Sequence, residues 1–291
     1  MSTPLFLNLP PGVRRTDIAT SRGTFAALEA LPGSEVTEHG SALLVPGYGG
    51  SKEDFLAILQ TLARARRRVV AVDLRGQYQS SGSEDPADYT VSALGADVGA
   101  LIEAVGPGPV HLVGHSFGGL VTRETVIADP SRLASYTLMS SGPAALTGPR
   151  ADGCRLMLTL ATQRDLEELW DTGIGPLKAA EGVPEDILDF LRSRMLGGSL
   201  QGLKTMALEV TTCPDRVKEL AKAAGKVDLP VLVLYGEDDD AWDPRAQAAM
   251  ADRLEAAKVV IPSAAHSPAV DAPETTASAL TDFWNAAERR R

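Results

Sequence analysis

Short apolar runs at 42–46, 69–73, 110–114 and 135–140 alternate with longer amphipathic stretches at 51–65, 91–105 and 117–128. Continuous short apolar runs suit strands buried on both faces, and the longer stretches between them suit crossover helices. This alternation predicts a mostly parallel sheet with right-handed connections and helices on both faces. Before it, residues 1–15 read as an irregular leader and 16–40 as an edge strand pair, with Gly23 to Ala30 supplying one alternating strand. After 226 the alternation resumes, with strands expected at 231–235 and 258–261 and helices at 244–257 and 272–288.

Between 142 and 226 the pattern changes. Ile187, Leu188, Leu191 and Met195 recur at helical spacing, as do Leu156 and Leu160, and Pro149, Pro176, Pro184 and Pro214 punctuate the segment. No strand pattern interrupts them. The expected organisation is therefore a core domain made of 1–141 and 227–291, with 142–226 inserted between sheet strands as a helical cap. Each leucine or methionine of the insert is read first as packing; together they must also supply part of any pocket beneath the cap.

Composition narrows the function classes. With 291 residues and 44% hydrophobic content, the chain can bury a large parallel core. Its net charge of −10 argues against nucleic acid, which is bound through clustered Lys and Arg. The basic runs at Arg64 to Arg68 and Arg289 to Arg291 are read as a solvated helix end and tail. Cys154 and Cys213, the only cysteines, fall in no metal or redox spacing and are expected as free thiols. Met1 to Leu9 lacks a charged start and is broken by Asn8 and Pro10-Pro11, so no secretory signal is expected. No run approaches the ~18 apolar residues of a membrane helix, and a soluble cytoplasmic protein without membrane partners follows as the expectation.

The candidate chemistry sits at strand ends. Gly114-His115-Ser116-Phe117-Gly118 directly follows the apolar run from Val110 and precedes a helical stretch, so it reads as a sharp turn presenting the Ser116 hydroxyl. A serine hydroxyl needs a base to attack a carbonyl. Of four histidines, His39 falls in a turn, His111 within a strand and His115 inside the elbow facing away from the attack side. His266 lies in a loop just past the strand at 258–261. Between them, Val231 to Tyr235 runs into Gly236-Glu237-Asp238-Asp239-Asp240. That acidic turn lacks the alternating ligands and glycine of an EF-hand, so no metal is expected there.

The order Ser116, Asp239, His266, each beyond the carboxyl end of an expected parallel strand, resembles the α/β-hydrolase superfamily. So do Leu43 to Ser51, similar to its oxyanion loop, and Val70 to Asp73 followed by Leu74-Arg75-Gly76, similar to its next strand and turn. The resemblance spans roughly 20 to 290. It implies an eight-stranded α/β fold, no cofactor, and a triad in which His266 activates Ser116 and Asp239 holds the imidazole. Asp238 is the next choice for the acid. It also implies an oxyanion hole from the backbone N–H groups of Phe117, at a helix start, and Tyr48. Asp73 and Arg75 are read as structural ties. Pro46-Gly47 stands where many members carry His-Gly, and Gly76-Gln77-Tyr78-Gln79-Ser80 replaces a glycine-richer turn, leaving Tyr78 either at the pocket or on a surface turn.

The expected activity is hydrolysis of a carboxylic ester or related acyl compound by a small-molecule enzyme, monomeric or homodimeric. Lactone opening, thioester, amide and C–C bond hydrolysis and perhydrolysis use the same triad. The resemblance disfavours epoxide and haloalkane chemistry, since the relatives that perform them carry Asp where this chain has Ser116. The alternative of another class is a slow-turnover or non-catalytic small-molecule binding protein on the same fold.

Overall fold

The computed structural model describes residues 2–33 and 39–290. An antiparallel pair, β1 (Val13–Thr20) and β2 (Gly23–Ala30), is closed by the two residues between Thr20 and Gly23. The other strands are β3 (Ala42–Val45), β4 (Val69–Val72), β5 (Val110–His115), β6 (Leu133–Met139), β7 (Val231–Gly236) and β8 (Ala257–Ile261). They form one sheet in the order β1-β2-β4-β3-β5-β6-β7-β8, parallel throughout from β4 to β8, with β2 antiparallel to β4. The mostly parallel sheet expected from the alternation is present, with the eight strands that the resemblance implies. The leader is shorter than its expected 15 residues, because Val13 already pairs with Ala30. Residues 34–38 of the expected edge pair, Met1 of the leader and Arg291 of the basic tail lie outside the described residues.

Both faces of the sheet are covered, which is why β3 to β7 read as unbroken apolar runs. Helices α1 (Leu56–Arg64), α2 (Val91–Val105) and α3 (Phe117–Ala128) connect the central strands. On one face, Leu43, Val45, Val70 and Leu112 pack with Leu101, Leu120 and Val121 of α2 and α3. On the other, Leu44, Ala71, Val113 and Leu232 pack with Leu59 and Leu62 of α1.

Between β6 and β7 the described chain is entirely helical: α4 (Gly148–Leu160), α5 (Leu166–Leu169), a wider turn at Trp170–Ile174, α6 (Gly175–Ala180), α7 (Glu185–Leu196), α8 (Leu200–Thr212) and α9 (Val217–Gly225). Ala161, Leu169, Trp170, Ile187, Leu191 and Met195 make a small apolar core of their own. Helices α8 and α9 differ: Met206, Val210, Val217 and Leu220 are buried in the main core. The helical segment is thus rooted in the sheet through its last two helices.

After β7 come α10 (Pro244–Arg253), α11 (Pro268–Asp271) and α12 (Pro273–Glu288). Helix α10 stops short of the expected residue 257 because Glu255 adopts a positive φ of 51° that turns the chain into β8. Trp284 of α12 is fully buried with α1 against the second face. No helix among the described residues is long and apolar enough to cross a membrane.

Strand β3 lies between β4 and β5, with successive connections running to opposite sides. Such a switch point opens a crevice beyond the carboxyl ends of the strands, where α/β sheets bind ligands. The loop after β3 and the turn after β5 meet there.

Candidate active site

Ser116 occupies the turn between β5 and α3 with φ 56° and ψ −123°, a backbone region that side chains rarely adopt. The turn is held by interlocking: a Cβ at residue 118 would stand 2.4 Å from the Pro46 carbonyl oxygen and 2.6 Å from that of Val45. Only glycine lets the elbow nest on the end of β3. Ser116 N–H donates to Met139 O (2.9 Å), and the following residue, Phe117, opens α3 with its N–H outside the helical ladder.

The structure brings the three candidate side chains together. Ser116 Oγ lies 2.9 Å from His266 Nε2, and His266 Nδ1 lies 3.0 Å from Asp239 Oδ1. Within the acidic turn only Asp239 is buried; Glu237, Asp238 and Asp240 are exposed, and Asp240 pairs with Arg150 at 2.7 Å. Asp239 also accepts from the Ala241 N–H (2.9 Å) and from Gln247 Nε2 (2.9 Å). Burial alone would raise its carboxyl, but these hydrogen bonds and the His266 imidazole outweigh burial and hold it below the ordinary aspartate value.

The position of His266 is set by backbone as much as by side chain. A Cβ at residue 236 would lie 2.1 Å from Ala265 O and 2.3 Å from Ala264 O, so the loop carrying His266 crosses directly over Gly236. His115 supports it from below. Its Nε2 donates to the His266 carbonyl at 2.8 Å, and its ring sits 5.2 Å from the His266 ring. Burial, with His266 nearby, pushes the His115 imidazole down to about 3, so it remains a neutral donor.

A cavity of about 300 Å³ opens at Ser116 and His266. Tyr48, Tyr78, Leu146, Met157, Met206 and Trp242 contribute to its largely apolar wall. Tyr78 therefore faces the cavity; it adopts a positive φ of 39°, with its ring 4.6 Å from the Lys52 ammonium and edge-on to Phe190. Trp242 stands 6.0 Å from the His266 ring and donates from Nε1 to Ala144 O at 3.1 Å.

Asp73 and Arg75 lie outside this wall. Asp73 is fully buried and binds Lys52 through both its ammonium (2.7 Å) and its backbone N–H (2.8 Å), while Arg75 makes a two-pronged pair with buried Asp97. Arg194 of α7 donates to Asp54 Oδ1 (2.8 Å) and Ser2 O (2.9 Å), and Ser2 Oγ meets Ser267 Oγ at 2.9 Å. This chain of contacts fastens the helical segment to the loops on either side of the cavity.

Gln247, Trp242 and the supporting role of His115 had no signal in the sequence. Trp242 and His115 act through partners distant in the chain, and Gln247 reaches Asp239 from the helix that follows the acidic turn; no local spacing marks these pairings. Among the described residues no cluster of three or more His, Cys, Asp or Glu is arranged to hold a metal ion.

A sequence model of the alpha/beta hydrolase family matches residues 42–279. The dihydrolipoyllysine-residue acetyltransferase component of the acetoin cleaving system of Pseudomonas putida is 30% identical over 244 residues, 83% of this chain. This chain spans only 62% of that longer protein. Lipase 3 of a Moraxella species is 24% identical over 83% of this chain and 76% of its own length. Among solved structures, a thermophilic esterase from Thermogutta terrifontis superposes with a TM-score of 0.73 at 24% identity, covering 94% of this chain and 99% of that one. That likeness is one of fold.

Proposed function

The chain belongs to the alpha/beta hydrolase family; from that premise we propose that it is a hydrolase that cleaves a carboxylic ester or related acyl bond through Ser116, His266 and Asp239, without a cofactor. The observation that carries this reading is the continuous line Ser116 Oγ, His266 Nε2, His266 Nδ1, Asp239 Oδ1, with links of 2.9 and 3.0 Å, ending at the wall of the cavity.

In this mechanism His266 Nε2 accepts the Ser116 proton as Oγ attacks the acyl carbon. Asp239 accepts from Nδ1–H, which fixes the tautomer and stabilises the imidazolium. The carbonyl oxygen gains negative charge and is met by the N–H groups of Phe117 and Tyr48, with the amino end of α3 behind the first. His266 then returns the proton to the departing alcohol. A water deprotonated by His266 attacks the acyl-enzyme and releases the acid and Ser116.

The helical segment 142–226 serves as a cap in this reading. It supplies Leu146, Met157 and Met206 to the cavity wall, so an aliphatic acyl group is the best match to the surface facing Ser116.

The reading is tested with p-nitrophenyl esters from acetyl to long acyl chains, using Ser116→Ala as the control. Turnover by the parent protein, and loss of at least a thousandfold in a folded Ser116→Ala, is expected. If the variant keeps most of the activity, the nucleophile is elsewhere. If the parent neither turns over esters nor is labelled at Ser116 by a fluorophosphonate, the binding-protein alternative replaces the enzyme.

A further inference from the structure

The turn that follows β4 holds a side chain whose contacts reach the reacting region through a single peptide group. Gln77 is buried, with 5% of its surface exposed, and it lines the cavity. Both ends of its carboxamide are in use. Its Oε1 accepts from Leu74 N–H at 3.1 Å, and its Nε2 donates to Gly47 O at 2.8 Å. These two partners also settle the amide's orientation, since one can only donate and the other only accept.

Gly47 O belongs to the peptide group that ends in Tyr48 N–H. A trans peptide is planar, with its C=O and N–H pointing to opposite sides. Fixing the oxygen therefore fixes the direction of the hydrogen. Gly50 N–H also donates to Gly47 O, at 3.1 Å, so the carbonyl is held from two directions. The group stands against the nucleophile, because a Cβ at residue 47 would lie 2.9 Å from Ser116 Cβ and 3.2 Å from Ser116 Oγ. Gln77 is held in turn, its N–H donating to Leu74 O and its C=O accepting from Ser80 N–H, both at 2.9 Å.

We propose that Gln77 is a positioning residue for the oxyanion hole, aiming the Tyr48 N–H at the developing charge by clamping the Gly47 carbonyl. The inference rests on the serine hydrolase reading above. Gln77 touches no reacting atom in this role. It is neutral at every working pH, so the clamp itself does not change with pH.

The experiment compares the parent protein with Gln77→Leu, which removes the donor at similar size, and Gln77→Glu, which keeps an acceptor for Leu74. Each is measured for kcat and KM on one p-nitrophenyl ester. Each is also measured for inhibition by a trifluoromethyl ketone, which forms a charged tetrahedral adduct with Ser116, and by a non-reacting alcohol of equal chain length. Losing an oxyanion donor outright costs about a hundredfold to a thousandfold in kcat; a misdirected one is expected to cost about tenfold to a hundredfold. KM and alcohol binding should stay within about twofold, while trifluoromethyl ketone affinity falls in parallel with kcat. Gln77→Glu should recover towards the parent rate at the same pH as the pH is lowered, because the protonated carboxyl regains a donor.

The proposal is overturned if kcat and ketone affinity are unchanged in a folded variant. It is equally overturned if the alcohol and both ketone and substrate weaken together, which would mark a pocket-shaping role. If the parent shows no Ser116-dependent turnover and no ketone adduct, the hydrolase reading fails and this one with it; Ser116-dependent turnover indifferent to Gln77 defeats only the clamp.

Discussion

Asp239 shows how a fold selects one carboxylate from four neighbours of nearly equal chemistry. Glu237, Asp238 and Asp240 remain in solvent, whereas Asp239 is 6% exposed and receives three hydrogen bonds. Asp239→Asn is expected to lower kcat by roughly three to four orders of magnitude, because the amide cannot hold the same imidazole tautomer. Asp238→Asn should stay within about twofold. Steady-state kinetics on one ester decides between them, and the reverse ranking would move the acid by one position. The three side chains that meet each sit past the end of an apolar strand run; a local motif marks Ser116, whereas Asp239 and His266 are picked out by their order along the chain and its resemblance to a family. The residues that hold them were not legible. Gln247 reaches Asp239 from the next helix and His115 reaches the carbonyl of a residue 151 positions away, and neither pairing leaves a trace in spacing.

At the scale of elements, α12 is fastened by a cluster on the side of the sheet away from Ser116. Its Glu288 carboxylate meets His111 Nε2 (3.0 Å), His39 Nδ1, the Gly40 N–H (2.9 Å) and buried Arg67 (3.1 Å). Burial opposes ionisation, but these four partners outweigh it and bring Glu288 down to about 2 from an ordinary value of 4.5. A lowered carboxyl contributes stability that is fully present above its unfolded value and is lost as pH falls through the folded one. Glu288→Gln should therefore destabilise at pH 7 by on the order of 1–3 kcal/mol, given that 23% of the side chain is exposed. The gap to the parent should close between about pH 4.5 and 2. Urea unfolding at several pH values reads this directly, and a constant gap across that range would contradict it. The strands and helices of the core were legible because period and length agree in them. The ends were less so: Val13 to Arg15 carry little alternation yet pair with β2, and a single residue at positive φ, Glu255, cuts α10 short.

For the molecule as a whole, the cavity is a joint product of the sheet and the helical segment. The sheet side brings Ser116, His266 and Tyr48, and the segment brings Met157 and Met206. Met157 is half-buried on α4 and lies outside the fully buried cores, so Met157→Trp should fill cavity space at small cost to stability. Its expected effect is a shift of the kcat/KM optimum towards shorter acyl chains, with a melting temperature within a few degrees of the parent. An unchanged optimum would show that the acyl chain runs elsewhere. Sequence periodicity indicated a helical insertion, yet it could not tell that α8 and α9 bury their apolar faces in the main core, that α4 lies along α8, and that α5 to α7 pack mostly on one another. These helices carry the same kind of apolar stripe, and only the tertiary arrangement decides what each stripe meets.

The backbone at Ser116 has a further consequence. Its φ of 56° with ψ −123° lies where a residue with a side chain is held at a cost of about 1–3 kcal/mol, and glycine is not. Under the proposed chemistry, the substitution that relaxes this corner is also the one that removes the nucleophile. Heat tolerance and turnover therefore pull in opposite directions at a single codon, and a lineage selected only for durability would drift towards a sturdier protein that no longer hydrolyses anything.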